Sequence, residues 1–591
     1  MVFGKHVNKF YKKYFWYFFI GIITLIFVDF IQLYLPPITG NIVDGITNGT
    51  IKNGDWDYLY KQIFYIVLIG LGMLLGRFLW RICIFGESVR IQSDLRKDMF
   101  LKCEQLSQRY FKQNKTGAIL SYFSNDLETL EESFGFGIVQ LVDGVFLLVM
   151  SVIKMLMLQP VLTLILMIPL VLLGLCAFFV DKLMEQKFER RQKAFENMSD
   201  FAQENFTGIR VIKAFVKEKK ELRQFSMTAL DNKKANINFA RTSCILDVAF
   251  DALIYLVFGI VLGGGSYLVY LNIKTLGESG ITVGQLVTFI GYVDTLIWPV
   301  FALAGTINLV ARSRTSLRRI SSLLDEQVEI VDNEVVTPDK IKGEIVFNHF
   351  NFAYPDDPEN LILKDITLTI KAGETIGIVG KIGSGKSTLV NMLFRLYNVE
   401  DNTLFIDGYD IMHLPIKMVR DNMGYCPQDN FLFSDTIKAN VAFTNPNDSI
   451  EQIKKATKFA DVDTNIEDFK EKYETLIGEK GVSLSGGQKQ RISIARAIIK
   501  DPTILVLDDS VSAVDVKTEE TILHNIKTLR KGKTTILVAS RVSTVMGLDK
   551  VLVMNKGRVE AFGTHEECLH KSKVYARMVE LQTLEEEMEE K

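Results

Sequence analysis

Gly380-Lys381-Ile382-Gly383-Ser384-Gly385-Lys386-Ser387-Thr388 fits the pattern G-x-x-x-x-G-K-[ST], a loop built to hold phosphate. The apolar, β-branched run Thr375-Ile376-Gly377-Ile378-Val379 precedes it, and Leu389–Phe394 reads as the start of a helix. The motif requires that strand–loop–helix context, which separates it from a glycine-rich turn opening an ordinary helix. The glycines let backbone N–H groups curl around a β-phosphate at the positive end of the helix. Lys386 would reach the β- and γ-phosphates, and the Ser387 hydroxyl would ligate Mg²⁺. A second candidate is Ile504-Leu505-Val506-Leu507-Asp508, a buried strand ending in a carboxylate that would hold Mg²⁺ through water, followed by Asp509. A third is Ser485-Gly486-Gly487-Gln488, opening a helix whose N-terminal amides can bind a γ-phosphate.

These motifs fall in the second half of a 591-residue chain, too long for one core. The residues are 48% hydrophobic and 23% charged, which predicts apolar spans joined to an ordinary globular part. Net charge is −2, so nothing global argues for nucleic acid. Cys83, Cys103, Cys176, Cys244, Cys426 and Cys568 form no C-x-x-C pair, and so neither a metal site nor a disulfide framework. The basic segment Met1–Lys13 leads into the first apolar run with no small-residue cleavage site, which reads as an uncleaved span.

Six apolar runs approach the ~20 residues that cross a bilayer: Phe15–Leu35 (closed by Pro36-Pro37), Ile63–Phe85, Phe134–Leu158, Val161–Val180, Ala252–Tyr270 and Val283–Val310. The segments Arg90–Gln113 and Lys182–Arg241 are long and basic, whereas Gly45–Asp57, Gln159-Pro160 and Asn272–Thr282 are short with few basic residues. The positive-inside rule then puts both termini in the cytoplasm. The long segments read as helical continuations of the spans. The expected architecture is a membrane α-helical bundle, residues 1–324, with six transmembrane helices. A polar linker follows at 325–340, then an alternating α/β phosphate-loop domain at 341–582 and an acidic tail at 583–591. Asp29, Arg77, Asp143, Lys154, Asp247, Asp251 and Asp294 are ionisable residues within or beside the spans, where such groups are costly and mark function by default. Asp247 and Asp251 share one helix face. The excess of acid favours cationic amphipathic cargo if these residues line a pathway; pairing with Arg77, Lys154 or hydroxyls is the structural alternative.

Leu484-Ser485-Gly486-Gly487-Gln488, continued by Lys489-Gln490-Arg491, matches the signature of ABC ATPases. Together with the phosphate loop it makes the chain resemble the ABC exporters of the half-transporter kind. Tyr110–Ser121 and Glu204–Phe215 look like that family's two intracellular loops, each carrying a short coupling helix, and Thr475–Gly481 looks like its exporter-specific loop. The resemblance implies that Tyr354 stacks on adenine and that Gln428 touches Mg²⁺ and senses a coupling helix. It implies ATP as the nucleotide, sandwiched between the phosphate loop of one subunit and Ser485–Gln488 of the other, in a bacterial plasma membrane.

Two positions depart from the family. Its catalytic Glu is Asp509 here, and its switch-loop His is Ser540, in Thr535-Ile536-Leu537-Val538-Ala539-Ser540. An aspartate is one methylene shorter, and a carboxylate misplaced by about 1 Å can cost about 100-fold in rate. Neither His524 nor His565 lies close enough in sequence to replace the missing one. Ser512-Ala513-Val514-Asp515 resembles the D-loop, with Val514 where leucine is usual. The pattern fits the degenerate-site subunit of a bacterial heterodimeric multidrug exporter, whose partner is a second, different half-transporter. Membrane lipid and a small amphipathic substrate are the other expected partners, with no nucleic acid. No peptidase domain is seen before the first span, which disfavours a processing exporter. Export of lipid or unprocessed peptide, and a nucleotide-gated channel or sensor, remain open alternatives.

Overall fold

The computed structural model describes residues 3–47, 56–275, 279–478, 484–511 and 514–589. Ser512 and Ala513 of the D-loop, Glu479–Gly481 of the exporter-type loop and the last two residues of the acidic tail therefore lie outside the described residues. The chain divides into two compact units, Met1–Glu104 with Thr116–Glu326, and Gln105–Lys115 with Gln327–Lys591. A short piece of the N-terminal half, Gln105–Lys115, thus belongs to the second unit.

The regular elements among the described residues of the first unit are helices. Its elements are α1 (Asn8–Lys13), α2 (Phe15–Gln32), α3 (Leu35–Thr47) and α4 (Trp56–Gln105). After α5 (Gln108–Gln113), which goes with the second unit, come α6 (Thr116–Ser121), α7 (Leu127–Phe134), α8 (Phe136–Leu158), α9 (Pro160–Thr207), α10 (Ile209–Ala214), α11 (Glu218–Lys274) and α12 (Val283–Asp325). Pro36-Pro37 do not simply end the first span. The break falls at Leu33-Tyr34, and the prolines occupy the first turn of α3, where a missing N–H leaves no intrahelical bond unmade. Among the described residues five stretches, Phe15–Thr47, Trp56–Gln105, Thr116–Leu158, Glu218–Lys274 and Val283–Asp325, are long and apolar enough to cross a membrane. At the start of α9, Pro160–Cys176 is a shorter apolar stretch. The helices α4, α9 and α11 run 50, 48 and 57 residues without interruption, so each carries a polar extension continuous with its apolar part.

Small residues set the closest approach. A Cβ on Gly40 of α3 would lie 2.3 Å from the Gly284 carbonyl oxygen, and one on Gly284 2.1 Å from that of Gly40. Only glycine permits that backbone contact in an apolar setting. Asp44 fixes the same corner. Its Oδ1 accepts from the Gly284 amide at 2.7 Å and its Oδ2 from the Thr282 hydroxyl at 2.6 Å, at the N-terminus of α12. At the other end, α1 is tied by Lys9–Asp98 and Lys13–Asp94, both at 2.6 Å.

The second unit has two sheets. Strands β1 (Ile345–Ala353), β2 (Leu361–Ile370), β4 (Leu404–Ile406) and β5 (Tyr409–Asp410) form an antiparallel sheet in the order β2-β1-β4-β5. The other runs β10-β9-β3-β8-β7-β6, from β3 (Thr375–Gly380), β6 (Met423–Cys426), β7 (Ile504–Asp508), β8 (Thr534–Val538), β9 (Lys550–Asn555) and β10 (Arg558–Gly563). All its pairings are parallel except β10 with β9. Every residue of β7 and β8 is buried, the mark of strands covered on both faces. Ligands of such sheets bind beyond the carboxyl ends of the strands. Here β3, β8, β7 and β6 stand side by side and end at Gly380, Val538, Asp508 and Cys426.

Candidate functional site: a nucleotide edge and an intramembrane cavity

Four adjacent strands deliver the candidate nucleotide residues to one edge. From β3 the chain enters the phosphate loop, and α13 (Lys386–Leu393) follows. Gly380 has φ +155, and a Cβ there would lie 2.2 Å from the Met554 carbonyl oxygen. Any side chain would therefore push the loop off β9. Ser384 Oγ is buried with no hydrogen-bond partner among the described residues. An orphaned hydroxyl inside a loop of amides costs about 1–3 kcal/mol, and an anion in the loop would satisfy it. Lys386 Nζ donates to the Gly380 carbonyl at 2.8 Å, within the loop it would serve. Burial holds its ammonium below the ordinary lysine value, and the Asp509 and Asp508 carboxylates offset that.

Ser387 Oγ donates to Asp508 Oδ1 at 3.1 Å, bringing a hydroxyl from α13 against the carboxylate that ends β7. Burial pushes the Asp508 carboxyl up, and the Ser387 hydrogen bond opposes it. Two hard oxygen donors this close to a phosphate loop fit Mg²⁺. When bound there, the ion would neutralise charge on the β- and γ-phosphates. Ser387 and Asp508 would hold it, and Lys386 would supply the second positive charge.

Asp509 follows Asp508 with a left-handed backbone, φ +48. Its amide donates to the Val538 carbonyl at 3.0 Å, and Ser540 Oγ donates to its Oδ1 at 3.1 Å. The two positions that depart from the family pattern therefore hydrogen-bond each other. Gln490 Nε2 donates to the Asp509 carbonyl at 3.0 Å, tying this corner to the helix Gly486–Ile498. That helix is capped by Ser485, whose Oγ accepts from the Gln488 amide at 3.2 Å while Gln488 Oε1 accepts from the Ser485 amide at 3.0 Å. The reciprocal pair is a capping box. It holds Ser485, Gly486 and Gly487 open at the N-terminus, with Ser485 and Gly486 exposed. Gln428, beyond β6, is exposed, and its side chain makes no hydrogen bond among the described residues.

Tyr354 follows β1. Its hydroxyl lies 3.0 Å from Thr388 Oγ1, and its ring packs edge-on to Phe352 and Tyr397. The helix α5 sits against this residue. Lys112 Nζ is 4.7 Å from the Tyr354 ring centroid, Arg109 pairs with Asp356 at 2.9 Å and Glu329 at 2.8 Å, and Gln113 reaches Asp356 at 2.5 Å. Sequence reasoning missed these contacts, although the basic side chain three residues after Arg109 was a usable signal.

In the first unit, Asp29, Asp143 and Asp294 line one cavity of about 410 Å³, together with Arg77, Trp80 and Trp298. Trp298 Nε1 donates to Asp143 Oδ2 at 3.3 Å, and Arg77 reaches Gln32 Oε1 at 3.3 Å. Asp247 and Asp251 do not join them. They lie exposed on α11, where the Ser243 hydroxyl donates to Asp247 at 3.4 Å. The aromatic partners were legible as Arg77/Trp80 and Asp294/Trp298, three and four apart on a helix.

Comparison with known proteins agrees with both units. Residues 18–300 match the ABC transporter transmembrane region, and 363–512 match the ABC transporter family. The chain is 33% identical over 581 residues to the Bacillus subtilis "Probable multidrug resistance ABC transporter ATP-binding/permease protein YheI", spanning 98% of this chain and 97% of that one. It is 32% identical over 585 residues to the "Multidrug resistance-like ATP-binding protein MdlA" of Escherichia coli, spanning 96% of each. The fold matches a bacterial Atm1-family ABC exporter solved with ATP bound, at a TM-score of 0.78 and 24% identity, over 95% of this chain and 97% of that chain. The chain belongs to the ABC transporter family. It is a half-transporter of the exporter type, a multi-pass membrane domain joined to an ABC ATPase domain.

Proposed function

We propose that this chain is the ATP-binding/permease subunit of a bacterial plasma-membrane exporter of amphipathic compounds, with both termini in the cytoplasm. It pairs with a second, different half-transporter, and its own ATP site is the degenerate one. The observation that carries this reading is the Ser540–Asp509 hydrogen bond of 3.1 Å. It occupies the corner where a longer carboxylate and an imidazole would serve hydrolysis, beside a phosphate loop and signature helix with their binding features in place. Ser540 ties up an Asp509 oxygen that a general base would need free. The exposed signature start at Ser485–Gly486 is available to complete the partner's site, which supplies the Glu and His.

A partner is further supported by the turn around α10. Phe206, Val211, Phe215 and Val216 are 74%, 61%, 69% and 78% exposed. Four apolar side chains clustered beside a short helix mark an interaction surface, and a second ATPase domain is the partner that the family's coupling helices imply. The names of the relatives favour drug-like cargo over lipid or peptide.

ATP-driven uptake of an amphipathic dye into inverted vesicles bearing the complex tests the transport half of this reading. Accumulation against a gradient is expected. Equilibration without accumulation would instead support a channel. If the purified chain alone made a homodimer with full ATPase activity, and Asp509→Asn abolished it, the degenerate-site reading would be wrong.

A further inference from the structure

The switch loop that carries Ser540 is held from the far end of the chain. The C-terminal helix, Lys573–Glu589, brings Gln582 against it. Gln582 Oε1 accepts from the Val542 amide at 2.6 Å, and its Nε2 donates to the Ser540 carbonyl at 3.4 Å. One side chain thus bridges two peptide groups on either side of Arg541. Val542 opens a helical turn, in which the Val545 and Met546 amides both donate to its carbonyl at 3.0 Å. An amide at the start of such a turn has no partner within it. Val542 is 1% exposed, so Gln582 does what water would do at the surface.

The helix that presents Gln582 is itself fixed. Ser572 Oγ donates to Glu560 Oε1 at 2.7 Å and accepts from the Tyr575 amide at 3.0 Å, and Tyr575 is fully buried. Met578 and Val579 then pack against the core that contains Val542 and Val545. Tyr575, Met578, Val579 and Gln582 follow the i, i+3, i+4, i+7 spacing of one helix face. Farther along the loop, the Thr544 hydroxyl donates to the buried Glu519 carboxylate. Pinned at Val542 and Thr544, the loop presents Ser540, whose Oγ reaches Asp509 Oδ1 at 3.1 Å. Hydrogen bonds weaken steeply with poor alignment, so Ser540 keeps this one only while its backbone is held.

We infer that Gln582 is a positioning residue of the nucleotide site: through the Ser540 carbonyl and the Val542 amide it sets the switch loop so that Ser540 engages Asp509. The contact stands on this chain's own geometry. Only the sign of its effect rests on the degenerate-site reading, in which Ser540 restrains Asp509 and its release speeds hydrolysis.

The test reads hydrolysis at this chain's site in the complex isolated from the native membrane. 8-Azido-ATP, radiolabelled at either the α- or the γ-phosphate, is bound and photolysed at intervals onto this chain, which is then separated by electrophoresis. Loss of γ-label relative to α-label gives the rate, and α-label against nucleotide concentration gives the affinity. Gln582→Met keeps the length of the side chain and loses both hydrogen bonds. It is expected to raise the rate roughly threefold to tenfold, the range of one hydrogen bond, with affinity unchanged within about twofold. The rise should disappear in a Ser540→Ala background, since residues that act through one contact do not add. Gln582→Glu still accepts from Val542 but has nothing to donate to Ser540. It should give a smaller rise with the same dependence on Ser540, and it supplies the result if the methionine variant does not fold. An unchanged rate in both variants would overturn the assignment. So would an equal effect with and without the Ser540 hydroxyl, which is what a merely structural role predicts. A fall in rate that needs the Ser540 hydroxyl would uphold the assignment and refute the degenerate-site reading.

Discussion

Hydrolysis depends on where one carboxylate stands. Asp509 falls short of the position a glutamate would reach, and Ser540 holds one of its oxygens at 3.1 Å. Replacing both, as Asp509→Glu with Ser540→His, should raise the ATPase rate of this chain's site by roughly 10- to 100-fold, the scale of a restored 1 Å displacement. Single-turnover hydrolysis with radiolabelled ATP would measure it. Asp509→Glu alone should give less, because Ser540 still engages the carboxylate. The phosphate loop makes a separate demand. Gly380→Ala places a methyl 2.2 Å from the Met554 carbonyl oxygen, so retention of nucleotide on the purified protein should fall at least about tenfold, since strained left-handed positions cost about 1–3 kcal/mol. At this scale the sequence was informative about identity and silent about contact. The loop and Asp508 could be named from their own pattern, and Asp509 and Ser540 from the resemblance to the family. That Ser540 donates to Asp509, or that Gln490 holds the Asp509 carbonyl, depends on β7 and β8 lying in parallel register. No local pattern encodes that register.

Elements carry the coupling. The helix α5 comes from the N-terminal half yet belongs to the ATPase unit, where Arg109, Lys112 and Gln113 grip Tyr354 and Asp356. If Tyr354 stacks on adenine as the family resemblance implies, the cation over its ring would link nucleotide occupancy to this helix. Lys112→Ala with Arg109→Ala should leave ATP turnover within about twofold while cutting dye transport several-fold, because exposed ion pairs add only about 0–1 kcal/mol to stability. Parallel ATPase and uptake assays would show whether the two separate. A pH dependence belongs to this scale too. Lys454 and then Lys472 hold the Glu467 carboxyl down to about 2, from an ordinary 4.5. Its folded value lies below its unfolded one, so the stabilisation is present above pH 4.5 and is lost as pH falls toward 2. Glu467→Gln should flatten the acid dependence of unfolding in that window, read by intrinsic fluorescence. Element lengths were partly legible: the basic segments after the second and fourth apolar runs did continue the helices. The α2–α3 break was misplaced, because Pro36-Pro37 suit a helix start as well as a stop.

For the whole molecule, the sequence predicted a membrane bundle joined to an α/β ATPase, and both units belong to one ABC half-transporter. The convergence of Asp29, Asp143 and Asp294 on one cavity was not legible, since it arises from packing of α2, α8 and α12 rather than from spacing. Asp247 and Asp251, four apart and the most suggestive pair by sequence, stand outside it. On the proposed reading, asymmetry sets what this chain would do for its partner: keep one nucleotide and present Ser485–Gly487 to the other site. The most direct measurement is steady-state ATPase of the complex isolated from the native membrane, with and without Asp509→Asn in this chain. Most of the activity should survive the substitution, because the partner's site turns over. Its loss would show that Asp509 catalyses the main reaction, contradicting a degenerate site here.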